Sequence, residues 1–297
     1  MPMTSTIDST GTLAGQGNNT GGVQVRKATG SVGAIVSGVD LNEDFDEATG
    51  AVIREALHEN CALVVRGQFL TPDAHMRVAR LWGEPFLPHY YRANSVEGYP
   101  HIAVIPNFGK EKTPSEGWHV DGSHFRVPPT VSVAVGRTIP AVGGDTMFSN
   151  QYNAYDRLSD GMKQFLEGRR VRFVGTRPVG PVRHMDRISD LLPANEKEEV
   201  AHYHLIAPEH PATGRKALYM NRPGKAMTQF EGMTEAESLP ILEFLHAQSV
   251  TPDNVYRHSW TPGDLVAWDN RCTMHYGVHD YGDVERTLVR ITVGAAL

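Results

Sequence analysis

The chain has 297 residues, of which 40% are hydrophobic and 21% charged, as in an ordinary globular protein long enough for one large domain. A formal net charge of -6 gives no basic footprint for nucleic acid, and no apolar run approaches the roughly 18 residues that a membrane span needs. We therefore expect neither a nucleic-acid nor a membrane partner. The two cysteines, Cys61 and Cys272, lie far apart in sequence, which argues against a disulfide framework and predicts a cytoplasmic protein.

The first 22 residues are rich in Gly, Ser, Thr and Asn, and they lack the basic and apolar segments of a secretory signal. This composition predicts a disordered N-terminal tail. Residues 23–297 show neither a fixed-period repeat nor an internal linker, so we predict a single domain there. The irregular segment 175–193 is arginine-rich, and it fits either a lid over a site or a solvated insertion. The tail, too, could order over a substrate.

The predicted elements are short strands with few helices. Residues 23–40 alternate apolar and polar side chains around glycines, as short strands do, and residues 45–60 have helical spacing. A buried strand, CALVVRG, precedes Thr71 and Pro72, which open a helix that runs to about Trp82. Helical stretches follow at about 151–168 and 234–247. The remaining strand candidates are HIAVIPN, TVSVAVGRT, DTMFSN, VRFVGT, KALYMN, VYRHSW, LVAWDN and TLVRITVGA. Such a pattern favours a mainly β sandwich or barrel decorated by helices.

Three side chains form a candidate metal site. If His119 and Asp121 lie on a strand, their i, i+2 spacing points them to the same face. His275 follows an apolar strand and completes a set of two imidazoles and one carboxylate, which suits non-haem Fe(II). Spacing alone leaves open a surface strand with a polar pair. His124 and His279 are rival ligands, but neither is in step with the strand face.

Five phrases occur in fixed order along the chain: ALVVRGQFLTPDAHMRVARLWGEP, GWHVDGSH, AVGGDTMFSN, HPATGRKALYMN and LVAWDNRCTMHYGVHDYGDVERTLVRITVG. Together they resemble the taurine dioxygenase family (TauD/TfdA) of iron- and 2-oxoglutarate-dependent oxygenases. The likeness runs from about Val25 to Val293. The resemblance implies a double-stranded β-helix (jelly-roll) core with flanking helices, and an enzyme.

The resemblance also assigns residues. His119, Asp121 and His275 match the family's iron ligands, and Asp121 favours oxygen transfer over halogenation because related halogenases have a small residue there. Arg286 matches the arginine that pairs with the far carboxylate of 2-oxoglutarate, and Thr146 matches the hydroxyl residue beside it. A guanidinium fork suits a carboxylate because it binds both oxygens at once.

The resemblance implies Fe(II), 2-oxoglutarate as co-substrate and dioxygen, with release of succinate and carbon dioxide. Oxidation of a substrate C–H bond then gives hydroxylation, cleavage of a carbon–heteroatom bond, desaturation or cyclisation, and the sequence does not choose among these outcomes. We also expect a homo-oligomer.

The predicted substrate is a small acidic molecule. Arg290 lies four residues after Arg286, so both share a strand face, and it matches the arginine that meets the substrate's anionic group in the family. A structural ion pair is the alternative role. His89 and Tyr91 lie near the family's substrate-binding segment, and Ser115 stands where the taurine enzyme has an amide. The differing loop and this serine argue against taurine itself.

Two other classes of protein are alternatives. A non-catalytic small-molecule binding or sensory protein on the same scaffold would not need to retain every expected ligand. A zinc hydrolase using the same triad would lack the H-E-x-x-H motif and would leave Arg286 and Thr146 without a role. The ordered set of residues therefore favours the oxygenase.

Overall fold

The computed structural model describes residues 22–86, 95–107, 117–178 and 197–294. The predicted N-terminal tail, apart from its last residue, lies outside these ranges, and so does most of the predicted 175–193 segment. No helix in the described ranges is both long and apolar enough to cross a bilayer.

The described residues form fifteen strands and five α-helices. The strands are β1 Gln24–Lys27, β2 Ala34–Ser37, β3 Ala62–Val65, β4 Glu84–Phe86, β5 Ser95–Val96, β6 Tyr99–Pro106, β7 Val131–Thr138, β8 Thr146–Asn150, β9 Arg170–Pro178, β10 Lys197–Leu205, β11 Met227–Phe230, β12 Val255–His258, β13 Leu265–Asp269, β14 Thr273–Gly277 and β15 Thr287–Gly294. The helices are α1 Glu47–Asn60, α2 Pro72–Ala79, α3 Gln151–Asp156, α4 Asp160–Leu166 and α5 Glu235–Ser249.

Three sheets organise these strands. The large sheet has the order β1-β2-β3-β13-β7-β15-β6-β5, with β4 paired to β15, and the smaller sheets are β12-β8-β14 and β10-β9-β11. Every pairing is antiparallel except that of β2 with β3. Phe148 of β8 belongs to the same buried cluster as Trp268 of β13 and Leu288 of β15, so the large sheet packs against the β12-β8-β14 sheet.

The central strands of the large sheet are buried on both faces. On β7, Val133 and Val135 join a cluster that includes residues of α1 and α2, while Ala134 joins the cluster between the sheets. This two-sided burial explains why β7 and β13 are almost continuously apolar, since each fully buried aliphatic side chain contributes about 1.5–3 kcal/mol. Ser132 lies two residues before Ala134, so it faces the interior between the sheets.

The predicted helix starts agree with the structure. Asp46 caps α1 and Thr71 caps α2, each through a side-chain oxygen that accepts from a backbone N–H three residues on. α2 ends at Ala79, which is three residues short of the prediction. The helical stretch predicted at 151–168 is two helices, because Ser159 caps a new one after α3.

The strand predicted for KALYMN is wrong. Residues 217–221 are buried, but Lys216 makes only an isolated bridge with Glu209. The Ala217 and Tyr219 N–H groups donate to Pro208 and Ile206 of the same neighbouring segment, while the Leu218 N–H donates to Gln151. The apolar residues of KALYMN therefore indicate burial rather than a strand in a β-ladder. Five strands were not predicted: the short β4 and β5, and β10, β11 and β14. β10 begins with charged residues that hide its pairing with β9.

Candidate metal centre and co-substrate site

The two histidines of the predicted triad face each other across an antiparallel bridge. The His119 N–H donates to the His275 carbonyl at 3.0 Å, and the His275 N–H donates back at 2.9 Å. Their ring centroids lie 4.1 Å apart. His119 Nδ1 lies 2.7 Å from the Gly117 carbonyl, and since a carbonyl only accepts, Nδ1 carries the hydrogen. The Nε2 lone pair of His119 is therefore available to a metal ion.

Asp121 reaches the histidines from a turn and not from a strand. The bridge at His119 is isolated, and residues 121–124 form a turn in which Gly122 has φ +59°. A Cβ on Gly122 would lie 2.7 Å from Pro129 Cδ, so this turn requires glycine. Asp121 Oδ1 is 3.9 Å from His119 Nε2, and Oδ2 is 3.8 Å from His275 Nε2. The predicted convergence is present, although its cause differs from the predicted strand spacing.

The protonation states of the triad suit metal binding. Burial lowers the pKa of His119, and burial together with the charge of His119 lowers that of His275 well below its usual range. Burial acts to raise the pKa of Asp121, but the Arg290 guanidinium and the two imidazoles outweigh it and hold that pKa well below normal. Near neutral pH the site therefore presents neutral imidazoles and an ionised carboxylate.

These three side chains fit a divalent ion. Metal–nitrogen and metal–oxygen bonds of roughly 2.0–2.2 Å allow two ligand atoms of one ion to lie up to about 4.4 Å apart. The separations of 3.8 and 3.9 Å are within this limit. The rival His279 is partly exposed and stacks on Tyr281, with centroids 4.8 Å apart. Neither His279 nor His124 belongs to the group that gathers around Asp121.

A second cluster of potential ligands in the described ranges is structural. His210, Asp269 and Cys272 bring their ligand atoms within 4.8 Å of one another and are buried. However, Arg271 donates to both oxygens of Asp269, at 2.8 and 2.5 Å, and His210 Nε2 lies 3.0 Å from Oδ2. The carboxylate is already neutralised, so this cluster stabilises the end of β13 rather than binding a cation.

Two polar residues hold the Asp121 carboxylate in place, and neither was predicted to have this role. Ser132 Oγ donates to Asp121 Oδ2 at 2.7 Å, and Asn270 Nδ2 donates to Ser132 Oγ at 3.1 Å. Asn270 Oδ1 in turn accepts the Asp121 backbone N–H at 3.3 Å. Such outer hydrogen bonds fix the orientation of a ligand carboxylate. The available signal was a lone serine in the apolar strand TVSVAVG.

Arg290 lies against the candidate metal centre. Its Nη1 is 3.0 Å from Asp121 Oδ1 and 3.1 Å from Oδ2. Its side chain is 17% exposed, so the pair is only weakly screened by solvent. On β15, Arg290 pairs with Ala134 of β7, which places it on the interior face with Ser132.

The predicted co-substrate residues lie near the start of β8, two positions along the β8–β14 pair from the one at which Phe148 faces His275. Thr146 opens β8 opposite Gly277 of β14, and it is 6% exposed. Arg286, 8% exposed, donates from Nε to the Gly144 carbonyl at 3.0 Å. Burial lowers the Arg286 pKa from its ordinary value, but an arginine remains cationic at any physiological pH. The two side chains therefore offer a hydroxyl and a guanidinium near one loop.

Aromatic rings pack around the triad. The Trp268 and His275 ring centroids lie 4.8 Å apart, and Phe148 stacks on His275 at 6.4 Å while also contacting Trp268 at 5.6 Å. Trp118 packs edge-on against Tyr276 at 5.7 Å. The predicted substrate residues His89, Tyr91 and Ser115 lie outside the described residues.

Comparison with known proteins agrees with this architecture. Residues 24–292 match the family described as Taurine catabolism dioxygenase TauD, TfdA family. The chain is 31% identical over 283 residues to an alkylsulfatase of Acinetobacter baylyi, covering 93% of this chain and 86% of that protein. It is 30% identical over 255 residues to an (S)-phenoxypropionate/alpha-ketoglutarate-dioxygenase of Sphingobium herbicidovorans, covering 82% and 85%.

A solved structure is also similar. The crystal structure of a taurine dioxygenase from Burkholderia xenovorans superposes with a TM-score of 0.76 at 30% sequence identity, covering 93% of this chain and 92% of that one. Together with the mainly β architecture and its flanking helices, this likeness confirms the jelly-roll fold.

Proposed function

The chain belongs to the TauD/TfdA dioxygenase family, and on that premise we propose how its residues divide the binding of metal, co-substrate and substrate. As a member of that family it is an enzyme that uses Fe(II), 2-oxoglutarate and dioxygen to oxidise a C–H bond of a small organic molecule. Bound iron supplies the oxidising chemistry, with 2-oxoglutarate converted to succinate and carbon dioxide.

His119, Asp121 and His275 are the proposed iron ligands. The observation that carries this assignment is the convergence of two neutral imidazoles and one ionised carboxylate within 4.8 Å. A set of three ligands without a thiolate leaves coordination positions for 2-oxoglutarate and dioxygen. Ser132 and Asn270 fix the orientation of the Asp121 carboxylate through hydrogen bonds. The packed rings of Trp268 and Phe148 exclude water from the His275 side of the site.

Thr146 and Arg286 are the proposed partners of the far carboxylate of 2-oxoglutarate. Arg286 is held by its Nε at the Gly144 carbonyl and by Tyr281, whose ring centroid lies 5.5 Å from the guanidinium carbon. A buried guanidinium facing a carboxylate makes charge-assisted hydrogen bonds, roughly twice as strong as neutral ones. The Thr146 hydroxyl adds a neutral donor from β8.

Arg290 is the proposed partner of an anionic substrate. Its Nη1 contacts Asp121, and neither Nε nor Nη2 makes a hydrogen bond with a residue in the described part of the chain. Since a metal ion at Asp121 neutralises that carboxylate, the positive charge of Arg290 is then left to attract a second anion close to the reacting carbon. This arrangement favours a substrate in which the oxidised C–H lies near an acidic group.

We propose an organic sulfate ester as the leading substrate class, with aryloxy-carboxylates second. Two observations support the choice: the arginine beside the metal ligands, and the similarity to a protein named alkylsulfatase and to one named for phenoxypropionate. Hydroxylation of the carbon that bears the sulfate oxygen gives a hemiacetal sulfate. Its C–O bond to sulfate breaks as the hydroxyl loses its proton, and the products are an aldehyde and hydrogensulfate.

The test is a parallel assay of succinate and sulfate release from medium-chain alkyl sulfates, with Fe(II), 2-oxoglutarate and air. We expect both products in equal amounts, and we expect Arg290→Gln to raise KM for the sulfate ester by roughly ten- to hundredfold because a charge-assisted contact is lost. Sulfonates, aryloxy-carboxylates and amino acids are assayed alongside. If sulfate esters give no succinate above the background without substrate, the substrate class is wrong. Equal KM for wild type and Arg290→Gln on a true substrate would remove Arg290 from substrate binding.

The proposal also covers the domain organisation, the oligomeric state and the cellular compartment of the enzyme. We propose that residues 23–297 act as one domain, that the enzyme is a homo-oligomer and that it works in the cytoplasm. Cys61 and Cys272 are both free and buried, which suits a reducing compartment. Mass measurement in solution tests the oligomer, and limited proteolysis tests the single domain.

A further inference from the structure

The indole of Trp260 makes a specific contact with the proposed co-substrate site. Its Nε1 donates to Thr146 Oγ1 at 3.0 Å, and both residues are 6% exposed. In the described part of the chain, this is the one hydrogen bond that Thr146 Oγ1 makes. The contact joins residues 114 positions apart in sequence.

The chemistry of the two groups fixes the direction of this bond. An indole N–H only donates, so Thr146 Oγ1 must be the acceptor. A threonine hydroxyl has one hydrogen and two acceptor positions, and the indole occupies an acceptor position. The hydroxyl hydrogen is therefore left to point at another acceptor, and a carboxylate is an acceptor only.

A rigid shell behind Trp260 holds its ring in place. His258 packs edge-on against the indole, with centroids 4.9 Å apart. His258 is itself fully buried between the Tyr256 hydroxyl, 3.1 Å from Nδ1, and Asp264, 3.3 Å from Nε2. Arg66 pairs with the same Asp264 carboxylate. Packing therefore fixes the orientation of the indole N–H, and rotation of the Thr146 hydroxyl does not change it.

Other tryptophans of this chain do without such a bond. The Nε1 atoms of Trp82 and Trp268 are buried and have no hydrogen-bond partner among the described residues. Burial alone therefore does not explain the Trp260 contact, and Trp82 provides a matched control.

We propose that Trp260 is a positioning residue for 2-oxoglutarate: its indole N–H orients the Thr146 hydroxyl so that the hydroxyl hydrogen is directed at the far carboxylate of the co-substrate. This inference rests on the proposed function, in which Thr146 and Arg286 hold that carboxylate. Trp260 itself does not touch the co-substrate.

The test is a double-mutant cycle on binding, independent of turnover. Mn(II)-loaded protein is titrated with 2-oxoglutarate by calorimetry for wild type, Trp260→Phe, Thr146→Val and the double variant. We expect Thr146→Val to weaken binding by roughly ten- to hundredfold, the range for one hydrogen bond to a charged group. Trp260→Phe should weaken it by about two- to tenfold, because it removes only the neutral bond that orients the hydroxyl. The double variant should bind no more weakly than Thr146→Val, because Trp260 acts only through the hydroxyl. Trp82→Phe should bind as wild type does.

The outcomes distinguish a failure of the proposed Thr146 role from a failure of the proposed Trp260 role. If Thr146→Val binds 2-oxoglutarate as wild type does, the proposed role of Thr146 fails. If Thr146→Val weakens binding but Trp260→Phe does not, or if the two effects multiply in the double variant, only the role of Trp260 is overturned. Should Trp260→Phe fail to fold, benzothienylalanine at position 260 keeps the ring shape and lacks the N–H, and the same outcomes apply to it.

Discussion

A methyl group at Gly144 should displace the arginine proposed to bind 2-oxoglutarate. Gly144 has φ +74°, and a Cβ there would lie 2.9 Å from both Cδ and Nε of Arg286. A normal carbon contact needs about 3.5 Å, so the Arg286 side chain must retreat by roughly 0.6 Å. The Nε donation to the Gly144 carbonyl would be distorted by the same movement.

The expected magnitude has two parts. An L-residue in the left-handed region costs about 1–2 kcal/mol, and the reduced freedom of the unfolded chain offsets about 0.4–1 kcal/mol of this. Gly144→Ala should therefore lose about 1 kcal/mol of stability. Misplacing the guanidinium forfeits a charge-assisted contact of about 1.5–3 kcal/mol, which corresponds to a roughly ten- to hundredfold weaker affinity for 2-oxoglutarate.

Gly67→Ala provides the matched control. Gly67 has φ +66°, and a Cβ there would meet nothing within 4 Å. Both variants are compared by urea unfolding and by calorimetric titration of 2-oxoglutarate into Mn(II)-loaded protein. Similar losses of stability are expected, with weakened binding only in Gly144→Ala. If the two variants bind 2-oxoglutarate equally well, Gly144 does not set the position of Arg286, and the reasoning is refuted.

Two further predictions concern metal binding and acid stability. Ser132→Ala should weaken Mn(II) binding by about ten- to hundredfold because Asp121 loses its orienting hydroxyl. Ser149→Ala, which removes a buried hydroxyl bonded to Ser249, is the control and should bind Mn(II) as wild type does. If Ser132→Ala also binds Mn(II) as tightly as wild type, Ser132 does not orient Asp121 for the metal. Burial lowers the pKa of His75 to about 4, so the folded protein keeps His75 neutral while the unfolded chain protonates below about pH 6.5. Stability linked to His75 is thus complete above that pH and is lost as pH falls towards 4. The stability advantage of wild type over His75→Gln should shrink by about 1.4 kcal/mol between pH 7.5 and 5.5 in urea unfolding; an unchanged advantage would contradict the pKa assignment.

The elements that the sequence predicted well are those with strong local signals. Thr71 marks a helix start because a capping side chain needs only its own neighbours along the chain. The central strands of the large sheet were recognisable because both of their faces are buried. KALYMN was misassigned for the same reason: burial produces an apolar run even where the pairing, as at Lys216 and Glu209, does not extend beyond an isolated bridge.

The candidate site was likewise predicted in its residue types but not in the tertiary contacts that position them. Residue types and their order pointed to His119, Asp121 and His275, and the structure brings them together. The strand spacing offered as the cause was wrong for Asp121, since the turn at Gly122 redirects the chain there. Ser132 could not be assigned to a ligand from sequence, because its bond to Asp121 depends on how β7 packs under a turn eleven residues away.

The contact between Arg290 and Asp121 shows what a shared strand face cannot specify. Spacing placed Arg290 in the interior, but it could not choose between a substrate anion and a structural ion pair. In the structure Arg290 pairs with Asp121 itself, at 3.0 Å. The two roles are compatible because they are linked through charge: an ion bound at Asp121 takes over the neutralisation of that carboxylate and leaves the guanidinium with an unmatched positive charge. An anionic substrate should then bind more tightly to the metal-loaded protein than to the metal-free protein, and by linkage the substrate should tighten metal binding by the same factor.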